Sequence, residues 1–183
     1  MKENKIHNAI IYAAMRHKGQ VRKGTDIPYI VHPMEVMQIL TAARCDEDMI
    51  VAGILHDTVE DTDATIDDIK RLFGDRVAEL VARESEDKTK TWRERKETTI
   101  RHLRDCSEEE AICTLADKLS NARSIVADYA RVGDILWERF NNDKASELWY
   151  YSEIARATER LSATKIWQEY SECVAAMRDI IGG

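Results

Sequence analysis

The chain has 183 residues, of which 44% are hydrophobic and 33% are charged, and its formal net charge is −7. A balance this negative argues against a protein that binds nucleic acid or an anionic membrane surface. It leaves room for a small polyanionic ligand, which responds to the local charge of its site. Because there are only two prolines and seven glycines, most of the chain lacks helix breakers, and the sequence predicts an all-α fold.

The first predicted helix is followed by a loop that ends in a histidine and a proline. Helical periodicity covers residues 4–17, and the stretch "HKGQVRKGTDIPYIVHP" then predicts a loop with a short extended pair. Pro33 suits the first position of the next helix. Since the residue before a proline is pushed out of helical geometry, we expect His32 at the entrance of that helix.

Caps and acidic residues mark where later helices begin. Asp46 and its two acidic successors open the third helix, where the helix dipole favours negative charge. Thr65 and Asp68 resemble a capping box, and Gly74 ends the helix that they start. The predicted helices together cover residues 4–17, 33–43, 46–61, 66–73, 75–84, 92–105, 108–129, 133–140, 142–161 and 164–180. This pattern predicts a single bundle of about eight to ten helices.

The stretch "GILHDTVEDTD", residues 53–63, brings a histidine and three carboxylates to the end of an apolar helix. Residues four apart share a helix face, so we expect His56 beside Glu60 and Asp57 beside Asp61. Burying unpaired carboxylates is costly, and no basic residue lies nearby in the sequence. A divalent metal ion would offset their charge.

Other segments must supply the remaining ligands of such an ion. His32 is one candidate. Asp117 is the other, because it lies in "EEAICTLADKLSNARSIV", a buried helix on which Asn121 and Ser124 continue a polar stripe at spacings of four and three. Two histidines and two aspartates form a donor set without thiolate, which disfavours structural zinc and suits Mn²⁺, Fe²⁺ or a catalytic zinc.

These motifs resemble the HD phosphohydrolases and, among them, the hydrolase domain of the RelA/SpoT family. The matching strings are "HKGQVRKGTDIPYIVHP", "AGILHDTVEDTDATIDDIKRLFGDRVAELV" and "LADKLSN", and "WERFNNDKASELWYY" is similar to stand-alone bacterial small alarmone hydrolases. The likeness covers residues 5–161. It implies one HD hydrolase domain over residues 1–183, in which the helix predicted at 164–180 follows the part that bears the motifs.

The resemblance implies a metal-dependent enzyme of the stringent response. It would remove the 3′-pyrophosphate of guanosine tetra- or pentaphosphate, (p)ppGpp, to give GDP or GTP and pyrophosphate. The implied ligands of one divalent metal, in the family usually Mn²⁺, are His32, His56, Asp57 and Asp117. The metal would activate a water molecule, and Glu60 and Asp61 would orient that water and take its proton. The alternative interpretation leaves both carboxylates solvated at the end of a helix.

Several residues are candidates for contacts with the nucleotide. The family uses the pair that corresponds to Arg22 and Lys23, with the arginine stacked on guanine and the lysine near phosphate. Alternatively, the pair is simply solvated. Asn121 and Ser124 would face ribose or base, or instead form hydrogen bonds that hold Asp117 in place.

A basic segment and an aromatic segment supply further candidates. The segment "DKTKTWRERK" carries five basic residues, of which one or two would reach the far phosphates of a strongly negative substrate. They are Lys88, Lys90, Arg93, Arg95 and Lys96. Charge runs usually mark a solvated face. Lys144 and Tyr150 are candidates in the aromatic segment, where such side chains usually belong to the core or its rim, and His17 would lie near the site.

Two other functions fit the same sequence. The first is an HD enzyme that acts on another nucleotide, for example by removing the 2′-phosphate of NADPH. The second is a non-catalytic nucleotide-binding module, which would be expected to lack some site residues, whereas every matched position is present here.

The sequence also predicts location and association. The longest apolar runs, "AIIYAAM" and "MIVAGIL", are too short to cross a bilayer or to act as a secretory signal. The four cysteines show no CxxC spacing. They could form two disulfides, but a helical chain of 183 residues without a secretory signal needs none, which favours reduced thiols and a cytoplasmic protein. The tail carries an apolar face that would pack on the chain's own core or on a second subunit of a homodimer. This face consists of Ile166, Tyr170, Val174, Met177 and Ile181.

Overall fold

The computed structural model describes residues 4–84 and 88–182, which are predominantly helical. The α-helices of these residues are α1 Lys5–Arg16, α2 Val31–Ala42, α3 Glu47–Leu55, α4 Thr58–Asp61, α5 Ile66–Phe73, α6 Asp75–Glu84, α7 Trp92–Asp105, α8 Glu108–Val132, α9 Lys144–Ala157 and α10 Lys165–Gly182. Two 3₁₀ helices, Gly133–Arg139 and Glu159–Leu161, follow α8 and α9. Extended structure in the described ranges is limited to one isolated bridge, between Val21 and Pro28. The predicted all-α fold is confirmed.

The chain forms two compact units, Met1–Asp87 and Lys88–Gly183. Residues 1–3, 85–87 and 183, which the single-domain prediction includes, lie outside the described residues. That assignment stays a prediction. Within the described ranges, no helix combines the length and the apolar character that crossing a membrane requires.

The first unit is built around α3, which contacts α1, α2 and α6. Every residue of α3 from Met49 to Leu55 is buried. Gly53 allows α2 to come close, because a Cβ atom at this position would lie 2.3 Å from Leu40 Cδ1 and 3.1 Å from Val36 Cγ1. His32 lies one turn before Val36, and His56 lies one turn after Gly53. The close packing of α2 on α3 therefore brings these two histidines near each other.

The third helix is shorter than the sequence predicts. Its start at Glu47 is confirmed, since the Asp46 carboxylate accepts hydrogen bonds from two backbone N–H groups of the first turn. The prediction that it continues to Asp61 is wrong, because α3 ends at Leu55 and the short α4 begins at Thr58. His56 Nδ1 binds the carbonyl of Gly53, and the Thr58 hydroxyl donates to the carbonyl of Leu55. Side chains thus occupy carbonyls that an uninterrupted helix reserves for backbone N–H groups.

His32 lies in the first turn of α2, so its predicted position at the entrance of the helix is confirmed, whereas the prediction that Pro33 pushes it out of helical geometry is wrong. The helix begins at Val31, which makes His32 its second residue and Pro33 its third. A proline is tolerated there because the N–H groups of the first turn have no partner within the helix. The predicted capping box of Thr65 and Asp68 is confirmed.

The second unit is built around the long helix α8, against which α10 packs. Helix α10 also contacts α9. Four of the five residues of its predicted apolar face are buried, namely Ile166, Tyr170, Val174 and Met177. The face therefore docks on helices of its own chain, and a homodimer stays a prediction.

Candidate metal centre

Three side chains of the first unit bring potential metal ligands to one point. His32 Nε2 lies 3.2 Å from His56 Nε2 and 3.4 Å from Asp57 Oδ2, and His56 Nε2 lies 2.9 Å from Asp57 Oδ2. Both imidazoles are buried. Two nitrogen or oxygen ligands about 2.0–2.1 Å from one metal ion lie about 2.8–3.4 Å apart in octahedral or tetrahedral geometry. The three observed separations fall in this range.

The hydrogen bond of His56 Nδ1 supports the same interpretation. Its Nδ1 lies 2.8 Å from the carbonyl oxygen of Gly53, and because a carbonyl can only accept, Nδ1 must donate. In the neutral ring Nε2 then carries the lone pair, which faces the carboxylate of Asp57. Either a proton on Nε2 or a metal ion would bridge these two groups, which lie 2.9 Å apart. A backbone carbonyl that fixes the outer nitrogen is also typical of histidines that bind metals, so the donor set fits a metal ion.

Tyr29 connects this cluster to one of the predicted catalytic carboxylates. Its hydroxyl donates to Asp57 Oδ2 at 2.6 Å and lies 3.3 Å from Asp61 Oδ2. Its ring stacks on that of His17, with 4.8 Å between the centroids, and meets His32 edge-on. Tyr29 is not among the site residues predicted from the sequence, although its position three residues before His32 was a usable signal.

Gln20 is a second residue that was not predicted from the sequence, and it attaches the loop between α1 and α2 to α4. Its Nε2 donates to the backbone carbonyl of Asp61 at 2.8 Å, and its Oε1 lies 2.7 Å from His17 Nδ1. The backbone carbonyl of Gln20 accepts from Tyr29 N–H. His17 therefore lies near the site, as predicted, because it contacts Gln20 and Tyr29 in the loop between α1 and α2.

The structure brings Asp57 and Asp61 together, as their spacing predicts. The N–H of Asp61 donates to the carbonyl of Asp57 at 2.9 Å, and the Tyr29 hydroxyl reaches both carboxylates. Asp61 is exposed and Glu60 is half-buried, so both are accessible to water. Their catalytic role stays a prediction.

In the second unit, Asp117 is buried on α8 and held by two neighbours. Asn121 Nδ2 donates to Asp117 Oδ1 at 2.6 Å, and Lys118 Nζ donates to Oδ2. Asp117 and Asn121 therefore share a helix face, as predicted. The hydrogen bond from Asn121 holds Asp117 in place, which is one of the two roles considered for Asn121. The other role, contact with a nucleotide, stays a prediction for Asn121 and for the half-buried Ser124.

The other predicted substrate residues lie in different environments. Arg22 is half-buried with its guanidinium 5.7 Å from the centre of the Tyr29 ring, whereas Lys23 is exposed. Lys144 begins α9 and is exposed, with Nζ 3.9 Å from Asp134. Tyr150 is only 3% exposed and packs among aromatic rings of α7 and α9.

In the basic segment, some side chains lie over aromatic rings and others are exposed to solvent. The Arg93 guanidinium lies 3.3 Å from the centre of the Trp149 ring, and Lys96 Nζ lies 4.7 Å from that of Tyr150. Lys88 and Lys90 are exposed. Cation–π contacts therefore hold Arg93 and Lys96 against the surface of the second unit.

The fold and this donor set define the class of protein. Residues 9–143 match the family model described as HD domain, and the chain belongs to this family. HD-domain enzymes of this kind are phosphohydrolases that bind a divalent metal ion.

Three individual proteins are similar to this chain over most of its length. The chain is 39% identical over 124 residues to the guanosine-3′,5′-bis(diphosphate) 3′-pyrophosphohydrolase MESH1 of Drosophila melanogaster, a match that covers 66% of this chain and 69% of the relative. A crystal structure from Listeria monocytogenes EGD-e matches with a TM-score of 0.76 and 36% identity over 83% of this chain and 99% of that one. A metazoan ortholog of SpoT that hydrolyzes ppGpp matches with a TM-score of 0.77 and 28% identity over 94% and 95% of the two chains.

Proposed function

We propose that the protein hydrolyses the 3′-pyrophosphate of guanosine 3′,5′-bis(diphosphate), releasing GDP from ppGpp, GTP from pppGpp, and pyrophosphate from both. The observation that carries this proposal is the cluster of His32 Nε2, His56 Nε2 and Asp57 Oδ2, which lie within 3.4 Å of one another. In a phosphohydrolase family, such a cluster supports metal-assisted attack of water on phosphorus. The substrate is proposed because two similar proteins are described as acting on this nucleotide.

The proposed metal ligands are His32, His56, Asp57 and Asp117, and the proposed ion is Mn²⁺. Nitrogen and oxygen donors without thiolate suit this ion. When bound, a divalent ion lowers the pKa of a water molecule and neutralises charge on phosphoryl oxygens. The assignment of Asp117 depends on the sequence motif, and the burial and hydrogen bonds of its carboxylate support a fixed, functional acid.

Glu60 and Asp61 are proposed to orient the attacking water and to accept its proton. Asp61 suits this role because the Gln20 amide donates to its backbone carbonyl and the Tyr29 hydroxyl lies 3.3 Å from its side chain. Since Tyr29 also donates to Asp57, one phenol sets the spacing between a metal ligand and the base. Such positioning determines how well a general base works.

The remaining proposed contacts concern the substrate. Arg22 would stack on the guanine base, a contact that suits a planar guanidinium, and its guanidinium lies 5.7 Å from the centre of the Tyr29 ring. Lys23 would bind phosphate as a point charge. The other proposed substrate contacts are Asn121, Ser124, Lys144 and Tyr150.

A panel of nucleotides tests the proposed function. Purified protein with Mn²⁺ is given ppGpp, pppGpp, NADPH and common nucleotides, and the release of pyrophosphate and of phosphate is measured separately. We expect pyrophosphate from the first two and none from the His56→Ala variant, the matched control. Phosphate from NADPH alone would assign the same site to another substrate. Binding of ppGpp without turnover would indicate a non-catalytic module.

We further propose that the protein works in the cytoplasm and forms a homodimer. All four cysteines are free thiols, as expected in a reducing compartment. Light scattering in solution measures the mass, and a value of one chain at all concentrations would refute the homodimer.

A further inference from the structure

The junction between α7 and α8 gathers three different kinds of metal ligand, in a cluster distinct from the HD residues. His102 lies in the last turn of α7, Cys106 follows it as the C-terminal cap, and Glu110 lies in the first turn of α8. One ligand atom of each residue lies within 4.8 Å of those of the other two. The spacing of four residues on each side of Cys106 places one helix end on either side of the thiol.

The geometry of the imidazole and the carboxylate fits a shared cation. His102 Nε2 lies 3.5 Å from Glu110 Oε2, close to the separation of about 3.3 Å between two such ligands of a tetrahedral zinc. This Nε2 is itself buried and makes no hydrogen bond to any of the described residues, although the ring as a whole is partly exposed. A buried ring nitrogen without a hydrogen bond is costly, and coordination would satisfy it.

The surroundings of Cys106 bear on its use as a ligand. Its thiol donates weakly to the carbonyl of Leu103, and Arg160 Nη2 lies 3.5 Å from the sulfur and 3.0 Å from the carbonyl oxygen of Cys106. Burial raises the pKa of the Cys106 thiol, and the Arg160 charge opposes that effect. A metal must therefore displace a proton from the sulfur, so its binding strengthens as the pH rises.

We propose that His102, Cys106 and Glu110 form a second metal site, which takes a borderline-soft dication such as Zn²⁺ and leaves a fourth position to solvent. Thiolate with imidazole selects zinc over manganese, whereas the HD cluster offers only imidazole and carboxylate donors. The two sites would thus differ in the metal they prefer. The proposal is independent of the proposed enzymatic activity.

Cobalt spectroscopy tests this site directly. Co²⁺ bound to thiolate absorbs through sulfur-to-metal charge transfer, a band that the HD donors cannot give because they contain no sulfur. Because the HD site would also bind Co²⁺, we expect the band in the full chain to saturate by about two equivalents of the ion. The Cys106→Ser variant should lose it, and Cys45→Ser, the matched control in the first unit, should keep it.

Two further variants keep the test valid if Cys106→Ser does not fold. His102→Asn removes the imidazole. Glu110 Oε2 accepts from the Ser107 N–H in the capping box of α8, and Glu110→Gln removes the charge while retaining a side chain suited to that box. Because residues that merely support metal ligands change affinity about 10–100-fold, we expect each ligand variant to weaken Zn²⁺ binding by about 100-fold or more, with Mn²⁺ binding unchanged. Absence of the band in the unmodified chain, or its persistence in folded Cys106→Ser, would overturn the proposal.

Discussion

Asp57 and Asp117 are predicted to bind the same metal ion, but their neighbours hold them in different ways. Asp57 is half-buried and accepts a hydrogen bond from the neutral hydroxyl of Tyr29. Asp117 is buried and paired with the ammonium of Lys118. A neutral donor orients a carboxylate without offsetting its charge, whereas an ammonium competes with any other cation. Asp57 should therefore contribute more to metal binding than Asp117.

The largest effect is expected from Asp57→Asn, which keeps the shape of the side chain and removes its charge. Without this charge the histidine pair holds a dication weakly, and kcat/KM for ppGpp should fall about 10³-fold or more, equivalent to about 4 kcal/mol. Calorimetric titration with Mn²⁺ should show loss of the stoichiometric site. Normal Mn²⁺ binding by the variant would refute the role of Asp57 as a ligand.

The double variant Glu60→Gln, Asp61→Asn separates proton transfer from metal binding. General-base catalysis contributes about 10²–10⁴-fold, so kcat should fall within that range. Mn²⁺ affinity should stay close to that of the unmodified protein because neither residue is a proposed ligand. Full turnover without both carboxylates would end their proposed role.

Changes at Asp117 and Lys118 test the other half of the comparison. Asp117→Asn should lower kcat/KM about 10–100-fold, less than Asp57→Asn, because the charge that it removes is already partly offset. Lys118→Gln should strengthen Mn²⁺ binding, since it removes the competing ammonium. If Asp117→Asn equals Asp57→Asn in both assays, the ranking of the two aspartates is wrong.

Tyr29→Phe removes the neutral donor that distinguishes Asp57 and leaves the aromatic ring. Groups that orient metal ligands are worth about 10–100-fold in affinity or activity, and we expect about a tenfold loss of Mn²⁺ affinity and of kcat. The midpoint of thermal unfolding should change little because the ring still stacks on His17. Tyr12→Phe is the matched control, since that hydroxyl is buried in the same unit without a hydrogen bond to the described residues.

Thr65→Ala gives the smallest expected effect and controls for stability. The variant removes the capping box of α5, and loss of such a cap costs about 1 kcal/mol of unfolding free energy. Urea unfolding should show this loss, with kcat and Mn²⁺ affinity unchanged. Lower activity in proportion to stability would mean that the effects at Asp117 and Tyr29 also reflect folding.

Local rules predict most of the fold because the sequence carries explicit boundaries. Asp46 and the Thr65–Asp68 pair cap helices where expected, and Gly74 ends α5 with a φ of 91°, which side chains with a Cβ rarely adopt. Spacing of four also correctly pairs Asp57 with Asp61.

The details of the site depend on interactions that spacing does not encode. Adjacent residues on a regular helix point about 100° apart. The side chains of His56 and Asp57 nevertheless converge, because side-chain hydrogen bonds to backbone carbonyls interrupt the helix after Leu55. Tyr29 reaches the carboxylates through the backbone path of a loop. Neither feature follows from helical periodicity.

His32, His56 and Asp57 are proposed to bind one divalent ion, and anomalous diffraction from crystals soaked in Mn²⁺ would locate that ion independently of activity. We expect an anomalous peak within about 2.0–2.4 Å of His32 Nε2, His56 Nε2 and Asp57 Oδ2, in the range of bonds from such ions to nitrogen and oxygen. No peak at these atoms, in crystals of protein that releases pyrophosphate from ppGpp in the same buffer, would contradict the proposed metal site.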